Sequence, residues 1–267
     1  MNQKFQLKNC CALITGASSG LGTEFAKQLA SHASTLILVA RRGTLLEELK
    51  QELMIHNPFL VVYVKNSDLS KSAEREELAA WIKEQSLPLN FLINNAGLGD
   101  LGDFATARWE RLEPILTINI TALTHLSHLL LPSLRRHAPS VLLNVGSVAG
   151  FFPLPYNAVY AASKAYVKNF SEALSIEEEE HGVFISLLSP GPVPTPFFEI
   201  ASRPGEKNRA TSRVPQMLIT SAEEVVTTAL RKLLECHESV IPNRNLRIAM
   251  KICSMLPRKI FKKFVPR

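Results

Sequence analysis

Tyr160 stands four residues before Lys164 in Tyr-Ala-Ala-Ser-Lys, and Ser147 lies thirteen residues upstream. A phenol, an ammonium and a hydroxyl are a set that can move a proton to or from a substrate oxygen. The apolar spacing around the pair is helical, and on a helix positions i and i+4 share a face one turn apart. An ammonium beside a phenol favours the phenolate, so Lys164 is expected to lower the Tyr160 pKa from its ordinary value of about 10. Tyr160 then serves as proton donor or acceptor near neutral pH, with Ser147 as a second hydroxyl for the same oxygen. One such pair among four tyrosines and many lysines is unremarkable alone. Its weight comes from the other end of the chain.

There, the apolar run from Cys10 to Thr15 leads at once into Gly16-Ala-Ser-Ser-Gly-Leu-Gly22 and then a helical pattern with Leu21, Phe25, Leu29 and Ala30 on one face. Strand, glycine-rich turn and helix in that order is what a dinucleotide phosphate site needs. Glycine supplies the tight turn and close backbone approach, and the helix start offers unpaired N–H groups to the anion. The spacing, Gly-xxx-Gly-x-Gly, also suits an ordinary strand-to-helix turn. A second apolar run, Thr35 to Ala40, ends in Arg41-Arg42. At that strand end an acidic residue would take the ribose 2′-hydroxyl of NAD, whereas an arginine fork suits the 2′-phosphate of NADP. The same arginines would equally serve as solvated helix-start residues.

With both ends in hand, the chain resembles the short-chain dehydrogenase/reductases from about Lys8 to Val240. Gly16, Ser18, Ser19, Gly20, Leu21 and Gly22 look like that family's cofactor turn, and Asp68-Leu69 like its adenine contact. Asn94-Asn95-Ala96-Gly97 is similar to its structural Asn-Asn-Ala-Gly. Asn119 falls where the family carries its relay asparagine, completing a tetrad with Ser147, Tyr160 and Lys164. Pro190, Gly191, Val193 and Thr195 sit in a segment similar to its nicotinamide loop. Each motif has a structural alternative: turn formers for Asn94 and Asn95, a satisfied helix asparagine for Asn119, a strand terminator for Pro190-Gly191. Six motifs in the family's order are not coincidence.

The elements that must hold these residues follow from the hydrophobic pattern. Strand-like runs at 10–15, 34–40, 59–64, 90–94, 139–146, 183–189 and 238–242 alternate with helical stretches. Alternation of this kind predicts an α/β fold with a parallel sheet covered on both faces. The resemblance implies a single-domain, Rossmann-type doubly wound sheet with strand order 3-2-1-4-5-6-7. Residues 1–242 would form the dinucleotide-binding catalytic domain, and 243–267 a basic amphipathic tail.

Of the 30 basic residues, eight fall between Ser239 and Arg267, where there is no acid, so the preceding residues carry 22 basic against 24 acidic side chains. The basic excess belongs to the tail. Within it Leu246, Met250, Cys253 and Leu256 line one helical face, and after Pro257 the residues Ile260, Phe261 and Phe264 continue the stripe among Arg258, Lys259, Lys262 and Lys263. A basic amphipathic helix suits an anionic membrane surface; its apolar face could instead pack over the substrate pocket or a partner subunit. Nucleic acid is not an expected partner, because no recognisable binding module accompanies the charge. The four cysteines lack metal-ligand or disulfide spacing, and His125 and His128 read as polar helix-surface residues, so no metal is expected. The chain reaches its first strand too soon for a signal peptide, and no run approaches the roughly 20 residues of a membrane span. A cytoplasmic protein is expected, peripheral on a membrane if the tail binds one, and homo-oligomeric.

The expected chemistry is NADP(H)-dependent interconversion of a carbonyl and an alcohol. The pocket should be lined by Phe151, Phe152, Leu154, Phe197, Phe198 and Met217, which favour a lipophilic substrate: acyl, retinoid-like or steroid-like. These side chains could equally be core. The alternative in a different class is an NADP-binding protein without turnover, docked through its tail.

Overall fold

The structure, a computed structural model, describes residues 5–203 and 215–255. Seven parallel strands form one sheet in the order β3-β2-β1-β4-β5-β6-β7. They are β1 (Cys11–Thr15), β2 (Thr35–Ala40), β3 (Val61–Asn66), β4 (Phe91–Asn94), β5 (Ser140–Val145), β6 (Val183–Leu188) and β7 (Ser239–Val240). β1, β2, β4 and β5 are buried along their whole length. That is why they read as unbroken apolar runs instead of alternating ones: helices cover both faces of a parallel sheet. One face carries α1 (Gly20–Leu29), α2 (Gly43–His56) and α8 (Ala222–Leu234), and their core includes Phe25, Leu29, Leu46 and Val225. The other carries α3 (Ser72–Glu84), α5 (Leu123–Arg136) and α6 (Ala158–Glu178), with Leu78, Leu126, Leu130 and Leu174 buried. Each fully buried Leu or Ile contributes about 1.5–3 kcal/mol relative to exposure.

Strand limits shift from the apolar runs most at β3, which begins at Val61 and extends to Asn66. Its register against β2 pairs Thr35 with Val61 and Ala40 with Asn66, drawing polar Lys65 and Asn66 into the ladder while Phe59 is left exposed. As an edge strand, β3 tolerates that polarity.

Two expectations need correction. α4 (Trp109–Leu116), a π-helical turn (Thr117–Ala122) and α5 run on as one helix, Trp109–Arg136, long and apolar enough by length and composition to cross a membrane. Its apolar face, with Ala122, Leu126, Leu130 and Leu134, is spent on the sheet instead. His125 is half-buried, and Arg75, itself buried, donates from Nε to its Nδ1 at 3.0 Å. His128 is exposed.

At the carboxyl ends of the strands, polar side chains tie the sheet together. Thr15 Oγ1 donates to Ile93 O and accepts from the N–H groups of Asn95 and Ala96, at 3.3, 2.9 and 3.0 Å. Asn94 donates to Ser127 Oγ and Asn144 Oδ1, and Asn144 to Ser171 Oγ, a buried chain that links β4 and β5 to α5 and α6. In a low-dielectric interior such a chain of bonds favours one arrangement of the elements, although Asn94 Oδ1 has no partner among the described residues.

Beyond β7, α9 (Arg244–Met255) buries Leu246 and Met250 against the domain. Asn243 Oδ1 accepts from Leu246 N at 3.0 Å, an N-cap, while its amide donates to Met217 O and Thr220 Oγ1. The first part of the tail's apolar stripe is therefore packing. Leu256, Pro257 and the stripe through Ile260, Phe261 and Phe264, with its four basic neighbours, lie outside the described residues.

Candidate active site

A cleft of about 640 Å³ opens along the carboxyl ends of the strands. At one end lies the glycine turn, where Gly16 and Gly20 adopt φ of +67° and +58°, conformations that glycine alone takes freely. Gly22 does not line the cleft. A Cβ there would lie 2.3 Å from Gly16 O, so its part is close packing of α1 on the turn. No side chain caps α1; the Ser19 hydroxyl instead accepts from Arg42 Nη2 at 2.8 Å. The first N–H groups of α1 thus remain available to an anion. Arg42 also donates from Nε and Nη2 to Ser18 Oγ, at 3.2 and 2.9 Å. Arg41 is exposed beside Asp68; burial would raise that carboxyl, but hydrogen bonds from Ser70 and, less, the charges of Arg41 and Lys71 hold it below the usual range.

Ser18, Ser19, Leu21, Leu69, Asn95, Ala96, Gly97, Pro190, Gly191, Val193 and Thr195 all line the same cleft. So does Ser67, which the sequence reading passed over. Its buried hydroxyl has no hydrogen-bond partner among the described residues. An anion-ready helix start and an orphaned hydroxyl in one groove fit a nicotinamide dinucleotide.

The candidate reacting groups sit midway. Ser147 ends the β5 connection, and its Oγ accepts from Ala149 N at 3.1 Å and lies near enough to the Tyr160 phenol to favour its ionised form. Tyr160 and Lys164 share the inner face of α6, as the i,i+4 spacing requires. The expected electrostatics are reversed, however. Lys164 Nζ donates to Val145 O at 2.8 Å and lies 5.8 Å from the Tyr160 ring centroid; Lys164 is buried and Tyr160 half-buried in the cleft wall. Burial penalises each charged form, pushing the phenol up to about 12, despite the Ser147 hydroxyl, and the ammonium down to about 8.

Asn119 lies in the π-helical turn, fully buried, and clamps the loop after β4: its Oδ1 accepts from Leu98 N and its Nδ2 donates to Leu98 O and Ser163 Oγ. Ser163 in turn donates to Tyr160 O at 2.7 Å. Ser163 was visible in Tyr-Ala-Ala-Ser-Lys but carried no signal of this role. Asn119 Oδ1 and Lys164 Nζ are each 3.4 Å from the point where Gly97 lacks a Cβ.

At the far end the cleft is apolar. Phe152, Leu154, Phe197 and Phe198 line it as expected, joined by Leu98, Leu101, Ile118 and Ile200. Two expected lining residues are elsewhere. Phe151 does not line the cleft and lies under Lys168, 5.6 Å from Nζ to ring centroid. Met217 is largely exposed in the short turn that Asn243 holds. Phe197, on α7 (Pro196–Ala201), rests against Tyr160 with ring centroids 5.4 Å apart.

A profile of the family described as short chain dehydrogenase matches residues 10–204. The chain is 34% identical over 245 residues to a very-long-chain 3-oxoacyl-CoA reductase of Neurospora crassa, covering 90% of this chain and 70% of that protein. It is 33% identical over 246 residues to the protein of the same description in Podospora anserina, covering 90% and 68%. A solved short-chain dehydrogenase from Sphingobium yanoikuyae in complex with NADPH superposes with a TM-score of 0.78 at 27% identity, over 93% of this chain and 97% of that one.

Proposed function

The chain belongs to the short-chain dehydrogenase/reductase family, oxidoreductases that use a nicotinamide cofactor, and on that premise we propose that it reduces the 3-oxo group of a long-chain acyl thioester with NADPH. The observation that carries this reading is one groove with Ser147, Tyr160 and Lys164 at its middle, an arginine-flanked glycine turn at one end and an apolar channel at the other. The named activity of the fungal relatives supports the acyl substrate. NADPH over NADH rests on Arg41 and Arg42, where an acidic residue would serve NADH.

When bound, the cofactor supplies the hydride. The chain's residues do the rest. Ser147, one lone pair held by Ala149 N–H, directs its hydroxyl toward the substrate oxygen. Tyr160, kept protonated by its burial, donates its proton to that oxygen as negative charge develops. Lys164, fixed by Val145 O, stabilises the phenolate left behind. The space between Asn119 and Lys164, open because residue 97 is glycine, suits a water that replaces the proton Lys164 passes to the Tyr160 phenolate after turnover. Asn119 itself holds the loop and α6 in place.

Purified protein mixed with NADPH and a 3-oxohexadecanoyl thioester should lose absorbance at the nicotinamide band as the 3-hydroxy product forms. Tyr160→Phe should keep NADPH affinity while turnover drops by about 10²–10⁴-fold, the usual loss for a general acid. Near-wild-type turnover in that variant would remove Tyr160 from the mechanism. Absence of turnover in the wild type with any carbonyl would leave a cofactor-binding protein. Attachment of the basic C-terminal segment to anionic lipid is part of the same reading, supported by its run of charges without an acid. So is a homo-oligomer, supported by exposed apolar residues such as Ile176 and Trp109.

A further inference from the structure

Beside the apolar end of the cleft lies a cluster of charges that the proton chemistry does not use. Asp100 is buried, and its carboxylate receives Arg111 Nε at 2.7 Å and Arg203 Nη2 at 2.5 Å, with Arg203 Nε 3.2 Å from each oxygen. Arg111 reaches further: its Nη2 donates to the carbonyls of Ile200, Ala201 and Ser202, at 3.2, 3.1 and 3.4 Å. These end α7, where helical carbonyls have no intrahelical partner and a cation is favourable. Arg203 Nη1 donates to Asp103 O at 2.9 Å, and Leu101 N to Ala201 O at 2.9 Å. The last turn of α7 is thereby bolted to the loop after β4. At the start of α7, Thr195 packs on Gly20 of the cofactor turn.

Between these anchors the inner face of α7 presents Phe197. Its ring rests on Tyr160, and its Cζ lies 2.8 Å from where Gly99 would carry a Cβ. Only glycine at 99 admits the ring in that seat. A buried carboxylate loses its hydration and is a poor way to gain stability when apolar residues could fill the space. What it gives is one geometry, held by directional, charge-assisted bonds.

We propose that Asp100 is a positioning residue of the reaction: with Arg111 and Arg203 it locks α7 over the cleft as a clamp, seating Phe197 on Tyr160 and forming one wall of the acyl channel. The proposal rests on the reading of the site as an acyl-reductase centre. Phe197, Phe198, Ile200 and Ala201, all in the lining, are delivered by the clamp and by no residue of the tetrad. A long acyl chain touches more of that wall than a short one. Loss of the clamp therefore costs most for long substrates and least for cofactor, whose phosphate turn meets α7 only at its other end, through Thr195 and Gly20.

The test compares wild type with Asp100→Asn, Asp100→Glu and Arg111→Gln, using NADPH with 3-oxobutanoyl and 3-oxohexadecanoyl thioesters, and follows deuterium uptake. In Asp100→Asn, kcat/KM for the long thioester should fall by about tenfold or more and for the short one by less, while NADPH affinity stays within about twofold. Backbone exchange should quicken in peptides covering 98–103 and 196–203 and stay unchanged in 11–40. Asp100→Glu should recover part of both effects. If Asp100→Asn does not fold, Arg111→Gln, which leaves the Asp100–Arg203 pair intact, should show the same pattern more weakly. Unchanged exchange at 196–203 in a folded variant overturns the clamp, as does an equal loss for both thioesters accompanied by loss of NADPH binding. Should the wild type reduce neither thioester, the substrate reading fails, and exchange alone decides: faster uptake at 196–203 supports the clamp and unchanged uptake overturns it.

Discussion

Tyr160 and Lys164 each lose solvation by being buried, and this, more than their mutual attraction, sets their charge. With a phenol near 12 and an ammonium near 8, the proposed reduction uses both groups in their protonated forms. Lys164 has its charge below about 8 and loses it as pH rises, while Tyr160 remains a proton donor throughout that range. The reductive kcat/KM, which reports the free enzyme, should therefore be flat at neutral pH and decline above about 8. Oxidation of the alcohol needs the phenolate and should instead climb toward alkaline pH. A reductive profile that stays level to pH 10 would show that the Lys164 charge is not needed. The two arginines differ as well. Arg42 braces Ser18 and Ser19, whereas Arg41 is not bonded to the turn. Arg41→Ala should weaken NADPH by about 10–100-fold, the worth of a charge-assisted bond, and leave NADH unchanged. Arg42→Ala should weaken both cofactors, NADPH more. Fluorescence titration of each variant separates these outcomes, and an equal loss for both cofactors in Arg41→Ala would mean that it does not read the phosphate.

Among the elements, α9 has a part in the site that its place at the end of the catalytic fold conceals. Leu246 packs so tightly on Gly191 that a Cβ there would lie 2.3 Å from Leu246 Cδ2. Gly191 lines the cleft, so α9 supports the loop from behind. Leu246→Ala should cost about 2–5 kcal/mol of stability, as other core truncations do, and also lower turnover by loosening residues 190–193. Thermal unfolding and steady-state kinetics on one preparation test both parts; a destabilised variant with full turnover would make α9 mere packing. The Trp109–Arg136 helix shows a similar economy. Its apolar side covers the sheet, and its π-helical turn places Asn119 between Leu98 and Ser163.

For the whole molecule, charge and fold are separable. Eight basic side chains follow Ser239, but Leu246 and Met250 commit the first stretch of that segment to the domain. On the proposal of lipid attachment, the charges after Met255 are the ones left to provide it. Removing 256–267 takes away Arg258, Lys259, Lys262, Lys263 and Arg267 without touching Leu246. The shortened protein should keep its fold and its activity on a soluble substrate, and lose co-sedimentation with anionic vesicles at low salt. Each basic residue near such a surface contributes about 1 kcal/mol, so five suffice for reversible, salt-sensitive binding. Vesicle binding that survives the truncation would assign attachment to the folded domain.

What the sequence determined by itself was local or repeated in pattern. The strand–turn–helix around Gly16 and Gly20 follows from neighbours in the chain, as does the Tyr160–Lys164 face of α6. The apolar runs implied a covered parallel sheet, because burial on both faces of β1, β2, β4 and β5 leaves no room for alternation. What tertiary structure decided depends on groups far apart in sequence. The pKa order at Tyr160 and Lys164 was legible from spacing only as an attraction; its sign came from burial, which no local pattern states. Phe151 and Met217 read as pocket residues for their apolarity, but a side chain's direction is set by what packs behind it. The Asp100–Arg203 pair spans 103 residues, and the Asn94–Asn144–Ser171 chain joins three elements. Neither has a periodicity to betray it, since such contacts exist only once the sheet has brought the loops to one edge.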